Sequence, residues 1–327
     1  MKIRVVVVAA LGLALAFYLV AYVGLGAVFA AAVAVGWGGF TILCLYGLAM
    51  FLLLGAAWCA LTPSSTPAQL PVYTWARMVR DAAAEVLPFS QLGGMVLGVR
   101  AAILHGVAAP LASASMIVDV TTEMLAQFVY IALGVLLLST RVSENSVALP
   151  LVRIFVIGLA IAATGGGIFL ALQRQGEWIT RKVAPRLFPG AAAATAAVTA
   201  ALDAIYSSHL RVGLSAVLHL VGWIASAIGT WIALRMMGTH VALTSVLAIE
   251  SLVYATRSAA FLVPNALGVQ EAAYAVLAPL FGIGAQFGLA VSLLKRARDL
   301  AVGIPILLIW QGFEGQRALA GKASGNP

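Results

Sequence analysis

Charged residues are scarce in this sequence of 327 residues, since Asp, Glu, Lys and Arg together make up only 9% of it. In an ordinary soluble domain about a quarter of the residues are charged. The chain is instead 63% hydrophobic, with a mean hydropathy of +1.05. This composition excludes a soluble enzyme or a soluble binding module and predicts a protein embedded in a lipid bilayer.

Cysteines, histidines and recognisable catalytic motifs are also few. Cys44 and Cys59 lie 15 residues apart on one predicted helix, so they are about 22 Å apart at ~1.5 Å per residue and cannot form a disulfide with each other. The four histidines form no Cys/His cluster, and we expect neither a metal site nor a cofactor. The sequence has no phosphate-binding loop, nucleophile elbow or HExxH pattern. ATP-driven transport by this chain alone is therefore not expected.

Basic residues outnumber acidic ones by 19 to 11, which gives a net charge of +8. They flank apolar runs and do not gather on one solvated face, which argues against nucleic-acid binding. Because cytoplasmic loops of membrane proteins are enriched in Lys and Arg, we place both termini in the cytoplasm. Twelve basic residues then lie on that side: Lys2, Arg4, Arg77, Arg80, Arg100, Arg174, Arg181, Lys182, Arg186, Arg211, Arg317 and Lys322. Three lie near the other side: Arg141, Arg153 and Arg235.

Six apolar stretches are long enough to span a bilayer, for which a helix needs about 20 residues. They are 5–23, 38–61, 110–138, 151–172, 212–234 and 284–312. The first could also be a signal peptide, but it is longer than the usual apolar stretch of about 7–15 residues. We interpret it as a retained helix, divided from the second span by the Gly-rich stretch 24–39.

Two further segments, 76–106 and 243–282, are interrupted by Pro and Gly. Proline removes a backbone donor and glycine permits a chain reversal, which favours re-entrant or broken helical hairpins. We expect the first helix to break at its proline and to restart after the glycine pair. The motif residues are Pro88, Gly93, Gly94 and Arg100 in the first segment and Pro264, Asn265 and Gly268 in the second.

The two broken segments correspond, since Gly93 and Gly268 lie 175 residues apart. Each half contains two spans, a broken segment and a long span. Because each half then crosses the membrane three times, an odd number, we expect the second half to be inverted relative to the first, as in secondary transporters. The predicted fold is an all-α polytopic membrane protein with two inverted repeats. Its parts are residues 1–139, residues 140–312 with a cytoplasmic linker at 173–211, and a cytoplasmic tail at 313–327.

Nine ionisable residues fall within the predicted bilayer region, where each costs at least about 2.5–3.5 kcal/mol at the centre. They are Asp119, Glu123, Glu250, Arg257, Glu271, Lys295, Arg296, Arg298 and Asp299. We expect Asp119 of the third span and Lys295 of the last to bring opposite charges to the midplane. The set has two interpretations: an ion-pair network that holds the halves together, or a polar cavity that receives and gates a lipid head group. His219 and Trp223 are interpreted as core packing.

The two broken segments and the end of the chain resemble the transmembrane region of the lysylphosphatidylglycerol synthases, a flippase-like family. The residues that carry the resemblance are Leu87-Pro88, Gly93-Gly94, Arg100, Pro264, Leu267-Gly268-Val269-Gln270-Glu271-Ala272-Ala273 and Ser292 to Leu300 with Trp310-Gln311. The last group is most similar to the hopanoid-biosynthesis-associated (HpnL-type) branch. Met95 and Asn265-Ala266 depart from the family pattern.

The resemblance implies lipid translocation in a bacterial inner membrane, with a hopanoid or an anionic lipid as partner. The leading hypothesis is a transporter that moves a lipid between leaflets through a polar midplane cavity. The alternatives are a lipid-binding scaffold for biosynthetic enzymes and, third, an intramembrane lipid-modifying enzyme. The aminoacyl-transferase domain of larger members is not found in these residues, so we do not expect lipid lysylation by this chain.

Overall fold

The computed structural model describes residues 14–15, 17–22, 24–63, 66–87, 90–141, 147–174, 192–261 and 263–323. This part of the chain is helical and contains no strand, which confirms the predicted all-α fold. The helices are α1 (Leu25–Ala34), α2 (Gly36–Ala60), α3 (Leu70–Val86), α4 (Ser90–Leu104), α5 (Ala109–Ser139), α6 (Ala148–Arg174), α7 (Ala192–Tyr206), α8 (His209–Met236), α9 (Leu243–Ala259), α10 (Val269–Leu280) and α11 (Ala285–Ala323).

Within the described residues, four helices are long and apolar enough to cross a membrane: α2, α5, α6 and α8. They correspond to the predicted second to fifth spans, and the chain is a multi-pass membrane protein. The predicted last span lies within α11, which is not among the four because charged residues interrupt its centre. Most of the predicted first span, 5–23, lies outside the described residues, although residues 17–22 are helical.

The Gly-rich stretch 24–39, expected to separate two spans, is itself mostly helical. Helix α1 occupies it and is bounded by Gly24 and Gly36, whose φ angles are 111° and 65°. Side chains disfavour such positive φ values. The two glycines therefore change the direction of the helical chain at these points without creating a long loop.

The first broken segment is a helical hairpin of α3 and α4. Helix α3 ends at Val86, and Leu87 is extended (φ −91°, ψ 141°), as expected of a residue before proline. Pro88 itself lies outside the described residues. The predicted restart after Gly94 is wrong, because α4 begins at Ser90. A Cβ on Gly94 would lie 2.5 Å from the Arg80 carbonyl oxygen, so this glycine allows α3 and α4 to pack closely and forms no turn.

The second broken segment separates α9 from α10. A short 3₁₀ turn, Pro264–Ala266, lies between them, and Asn265 (φ 49°) and Ala266 (φ 47°) both adopt left-handed backbone conformations. Such residues cost about 1–3 kcal/mol each and persist only where their surroundings hold them. Gly268 (φ 77°) then precedes α10.

The segment predicted as a linker, 173–211, is partly helical. Helix α8 already begins at His209, and α7 packs against α5 through buried Leu202 and Ile205. Residues 175–191 lie outside the described part.

The packing of the helices pairs the two halves. Helix α5 packs against α9, α11 packs against α3, and α2 packs against α8. Exchanging α2 with α8, α3 with α9 and α5 with α11 maps each of these contacts onto one in the same set. Helices α3 and α9 also have the same length, 17 residues. This packing brings the charged faces of α3, α5, α9 and α11 into the interior.

Candidate functional site

A buried polar centre, the first cluster, joins α3 to α5 and α8. Arg77 binds Asp119 (Nη1 to Oδ2, 3.1 Å) and Glu123 (Nη2 to Oε1, 2.7 Å). Arg80 binds the same two carboxylates, each at 2.8 Å. Asp81 accepts from Arg77 within α3 at 2.7 Å. Because Asp119 is fully buried and Arg77 is 3% exposed, these pairs are shielded from solvent.

His219 of α8 completes the first cluster. Its Nε2 lies 3.0 Å from Asp119 Oδ1, and both side chains are fully buried. Nδ1 of His219 has no hydrogen-bond partner within the described residues. Core packing alone therefore does not describe this residue. Trp223, one turn further along α8, donates from Nε1 to the Glu123 carbonyl oxygen at 3.4 Å and also packs on aromatic neighbours, as expected.

The second cluster consists of Glu250 on α9, Tyr274 on α10 and Lys295 on α11. Lys295 Nζ lies 2.6 Å from Glu250 Oε2 and 3.1 Å from the Tyr274 hydroxyl. That hydroxyl donates to the other oxygen of Glu250. The ammonium also lies 5.1 Å from the ring centroid of Tyr254, within the range of a cation–π contact. The positive charge of Lys295 is thus stabilised by a carboxylate, a hydroxyl and an aromatic ring.

The first and second clusters occupy the same register in the two halves with their charges exchanged. Arg77 and Glu250 are each the eighth residue of their helices, α3 and α9. Asp119 and Lys295 are each the eleventh residue of α5 and α11. In both halves one ion pair therefore joins the same two positions, with the cation on the short helix in the first half and on the long helix in the second.

A third polar group anchors the start of α10. Arg296 binds Glu271 through Nε at 2.7 Å and donates to the carbonyl oxygens of Asn265 and Ala266 at 3.2 and 3.3 Å. Glu271 also accepts from Ser292 Oγ and from the Gly268 amide, each at 2.8 Å. The predicted site residue Glu271 thus caps its own helix and helps to hold the left-handed turn before it.

A fourth contact, the latch of Glu85, Arg257 and Asn265, joins the two broken segments directly. Arg257 Nη2 lies 3.1 Å from Glu85 Oε1 and 3.2 Å from Asn265 Oδ1. Asn265 Nδ2 donates to the Glu85 carbonyl oxygen at 2.9 Å. The latch links residues 180 positions apart in sequence, and it fixes the C-terminal end of α3 against the turn that follows α9.

The remaining predicted residues lie apart from these clusters. Arg298 binds its neighbour Asp299 at 2.6 Å, and each side chain is 23% exposed. Arg100 pairs with Glu314 at 2.7 Å but is 53% exposed, which places it at the edge of the bundle. Gly93 has open space where a Cβ would lie, so the structure gives it no packing role.

Asp119 and Lys295 do not pair with each other, although each has a buried partner of opposite charge. Their partners, Arg77, Arg80 and Glu250, are on the short helices. Arg77 and Arg80, which the loop-charge pattern places on the cytoplasmic side, are both buried against Asp119. The signal that could have found them is their spacing: Arg77, Arg80 and Asp81 occupy positions i, i+3 and i+4, which form one helix face.

The ion pairs of this interior join seven carboxylates to six cations. The carboxylates are Asp81, Glu85, Asp119, Glu123, Glu250, Glu271 and Asp299, and the cations are Arg77, Arg80, Arg257, Lys295, Arg296 and Arg298. No three His, Cys, Asp or Glu side chains in the described part are grouped so that they could hold a metal ion.

Comparison with known proteins gives one result. Residues 3–306 match the family model of the lysylphosphatidylglycerol synthase transmembrane region. The chain is therefore a polytopic membrane protein of lipid-related type, and it belongs to the lysylphosphatidylglycerol synthase transmembrane-region family. No curated protein and no solved structure matches it.

Proposed function

We propose that this protein is a flippase-like transporter that moves a lipid between the leaflets of a bacterial inner membrane. The observation that carries the proposal is the pair of buried ion pairs, Arg77–Asp119 and Glu250–Lys295, at the same register in two halves of the chain. In transporters built from inverted repeats the substrate site lies near the midplane, at the interface of the repeats and beside broken helices.

The cost of burial supports a functional role for these charges. An ionisable residue at the centre of a bilayer costs at least about 2.5–3.5 kcal/mol, and apolar residues of similar volume often stabilise a protein as well as a buried ion pair does. Asp119 lies ten residues into α5, which is roughly 15 Å along a helix and about half of a ~30 Å core. A bundle selected only for stability has no need of charges at this depth.

The latch supplies a gate in this proposal. Glu85 belongs to the first broken segment and Asn265 to the second, and Arg257 binds both. Separating the halves at this point requires these hydrogen bonds to break together. Opening on one side of the membrane would break the latch, while the first and second clusters hold the other contacts between the helices.

Family membership supports a lipid as cargo. A hopanoid or related lipid remains the cargo proposed from the resemblance of Ser292 to Leu300 to the hopanoid-associated branch, and an anionic phospholipid is the other candidate. Cytoplasmic termini and the inverted relation of the repeats belong to the same proposal and rest on loop charge and on the order of the segments.

Reconstitution tests the proposal. The purified chain is placed in liposomes with a fluorescent lipid, and the accessibility of the label in the outer leaflet is followed with a membrane-impermeant quencher. Wild type is expected to accelerate exchange between leaflets, and Asp119→Asn to slow it. Arg235→Gln, an exposed arginine outside the clusters, is the matched control. The proposal is contradicted if lipid exchange between leaflets has the same rate with wild type, with Asp119→Asn and in empty liposomes.

A second candidate is a scaffold that binds lipid and assembles biosynthetic enzymes without transport. The favourable observation is that each carboxylate of the interior clusters has a cationic partner, since mutual neutralisation is what a static bundle requires. A scaffold would leave lipid exchange unchanged in the liposome assay, and a cell lacking it would lose the product of the assembled enzymes.

A further inference from the structure

His219 differs from the other histidines of the chain in its burial. Of the four histidines in the sequence, His105, His209 and His240 are exposed, whereas the side chain of His219 is fully buried. It lies on α8, one of the helices that are long and apolar enough to cross a membrane. Histidine is the side chain whose charge changes most readily near neutral pH. At this place in the fold it can therefore do what the surrounding arginines cannot, which is to gain and lose a proton.

The hydrogen bonds of His219 leave one ring nitrogen open. An ionised carboxylate only accepts hydrogen bonds, so Nε2 carries the hydrogen that lies between the ring and Asp119 Oδ1, at 3.0 Å. Nδ1 has no hydrogen-bond partner within the described residues. In this tautomer Nδ1 is a buried lone pair that is available to a proton. The nearby hydroxyls of Ser215 and Thr122 bind each other at 3.0 Å.

The net charge of the first cluster depends on His219. Arg77 binds all three carboxylates of the cluster, and Arg80 is its second cation. Three carboxylates and two guanidinium groups leave one negative charge without compensation when His219 is neutral. The other ion pairs of the described interior each match one carboxylate with one cation. Because an uncompensated buried charge is costly, one proton on His219 is what makes the first cluster neutral.

The charged groups that act on His219 are those of the first cluster. Asp119 binds it directly, Glu123 lies one turn further along α5, and Asp81 and the two arginines of α3 lie behind these carboxylates. Titratable groups on α8 itself and on the other helices packed against it meet other partners. These are Tyr46 (Ala225 carbonyl oxygen), Cys44 (beside Arg298) and Cys59 (beside Tyr73) on α2, Tyr206 (Gln173) and the exposed Asp203 on α7, Arg211 (Thr62 carbonyl oxygen), Arg235 (His240) and the exposed His209 on α8, Tyr254 (Ser226), Glu250 (Lys295) and Arg257 (Glu85) on α9, and Lys295 and Arg298 beside Thr230 on α11.

We propose that His219 is a proton-binding site and that the proton it exchanges drives the movement of lipid. Asp81 and Glu123, whose side chains are 23% and 19% exposed, connect the buried part of the cluster with its surroundings. The proton comes from water on one side of the membrane, binds to the lone pair of Nδ1 without breaking another bond, and returns to water on the other side. The role in transport rests on the proposed function and names its energy source.

The two protonation states favour different conformations. With a proton on His219 the first cluster is neutral, which favours the closed packing of α3, α5 and α8. Without the proton the cluster carries a negative charge, which favours an opened and hydrated arrangement. A ligand shifts a conformational equilibrium only as far as it binds the two states differently, and the proton meets this condition because the closed cluster requires it and the hydrated one does not.

Nitrogen NMR of the full-length chain in detergent tests the site. The triple variant His105→Gln/His209→Gln/His240→Gln replaces three exposed residues and retains His219 as its single histidine. Its isotope-labelled imidazole is followed from about pH 4 to 9, which brackets the range in which histidine changes charge. The expected result is one titration, from a ring with one protonated nitrogen to a ring with two. A ring that keeps one form throughout, neutral or charged, refutes the proton site.

The liposome assay with an imposed pH gradient tests the coupling. With wild type and with the triple variant, labelled lipid should accumulate in one leaflet. If one proton moves per lipid, a gradient of about one pH unit supports a leaflet ratio of up to about tenfold. His219→Gln should distribute lipid equally with or without the gradient. Equal leaflets in wild type, or the same accumulation with His219→Gln, refute the coupling.

The two experiments separate this inference from the transport proposal. If His219 titrates but wild type moves no lipid, the transport proposal fails and the proton site stands. If lipid moves but His219 does not titrate, the proton site fails and the transport proposal stands. A His219→Gln variant that does not fold leaves both tests decisive, because the NMR measurement uses the triple variant and equal leaflets in wild type still refute the coupling.

Discussion

The ion pair between Lys295 and Glu250 allows the structural and the functional roles of a buried charge to be separated. Glu250 is fully buried and Lys295 is 7% exposed, with 2.6 Å between Nζ and Oε2. Lys295→Met leaves Glu250 without its cation in an apolar region. Breaking a buried pair in this way costs about 3–5 kcal/mol, and we expect that loss in the free energy of unfolding. The Tyr274 hydroxyl is left as the remaining donor to the carboxylate.

Removing both charges should cost much less than removing one. In Glu250→Leu/Lys295→Met no buried charge is unpaired, and such replacements are often neutral or stabilising. The double variant is therefore expected to unfold with a free energy close to that of wild type. Because the two residues touch, the single effects should not add.

The measurement is equilibrium unfolding in mixed detergent micelles for wild type, the two single variants and the double variant. Two results would contradict this expectation. The first is a loss of less than about 1 kcal/mol in the free energy of unfolding for Lys295→Met, since a broken buried pair is expected to cost several times more. The second is a loss for the double variant as large as the two single losses combined. The same double variant in the liposome assay tests the function. It should fold but no longer accelerate lipid exchange; full transport by it would mean that this pair is structural only.

Further substitutions address the close helix contact, the histidine, and the surface. Gly94→Val should prevent the α3–α4 hairpin from closing, because its Cβ would lie 2.5 Å from the Arg80 carbonyl oxygen. The expected result is loss of folded protein on size-exclusion chromatography. The control is Gly93→Val, at an open position, which should elute as wild type does. His219→Leu removes a partner of buried Asp119 and should lower the free energy of unfolding by about 1–3 kcal/mol, whereas an unchanged value would mean that the two side chains do not bind. Arg100→Ala breaks an exposed pair with Glu314 and should change stability by less than about 1 kcal/mol; a larger loss in the same unfolding assay would show that this pair is more than a surface contact.

The strained turn before α10 depends on contacts from distant parts of the chain. Asn265 and Ala266 have positive φ angles, and Arg296 and Glu85 hold them through hydrogen bonds. If the latch opens during transport, the support from Glu85 is lost while that from Arg296 remains. In the proposed mechanism this turn is the hinge, because one set of its restraints lies on α11 and the other lies across the interface between the halves.

The sequence by itself determined the membrane class, the helical spans and the place of the second break. Long apolar runs and sparse charge leave no other environment for this chain, and Pro264 and Gly268 lie at the interruption between α9 and α10. It also marked Asp119 and Lys295 as unusual, because a charge in an apolar run is visible without knowing its partner. These features depend on residues close together in sequence, which is why periodicity and hydropathy detect them.

Only the tertiary structure decided which charges pair. Arg77 lies 42 residues from Asp119, and His219 lies 100 residues from it, so no local pattern reports these contacts. Arg77 and Arg80 stand in a segment of mixed polarity and resemble loop charges until α5 packs against α3. Gly94 likewise resembled a turn residue, and its role as a contact surface follows from the distance between two helices. Pairing and packing depend on how the helices assemble. The helix boundaries are also needed to see that the two buried ion pairs occupy the same helix positions in the two halves with opposite charges.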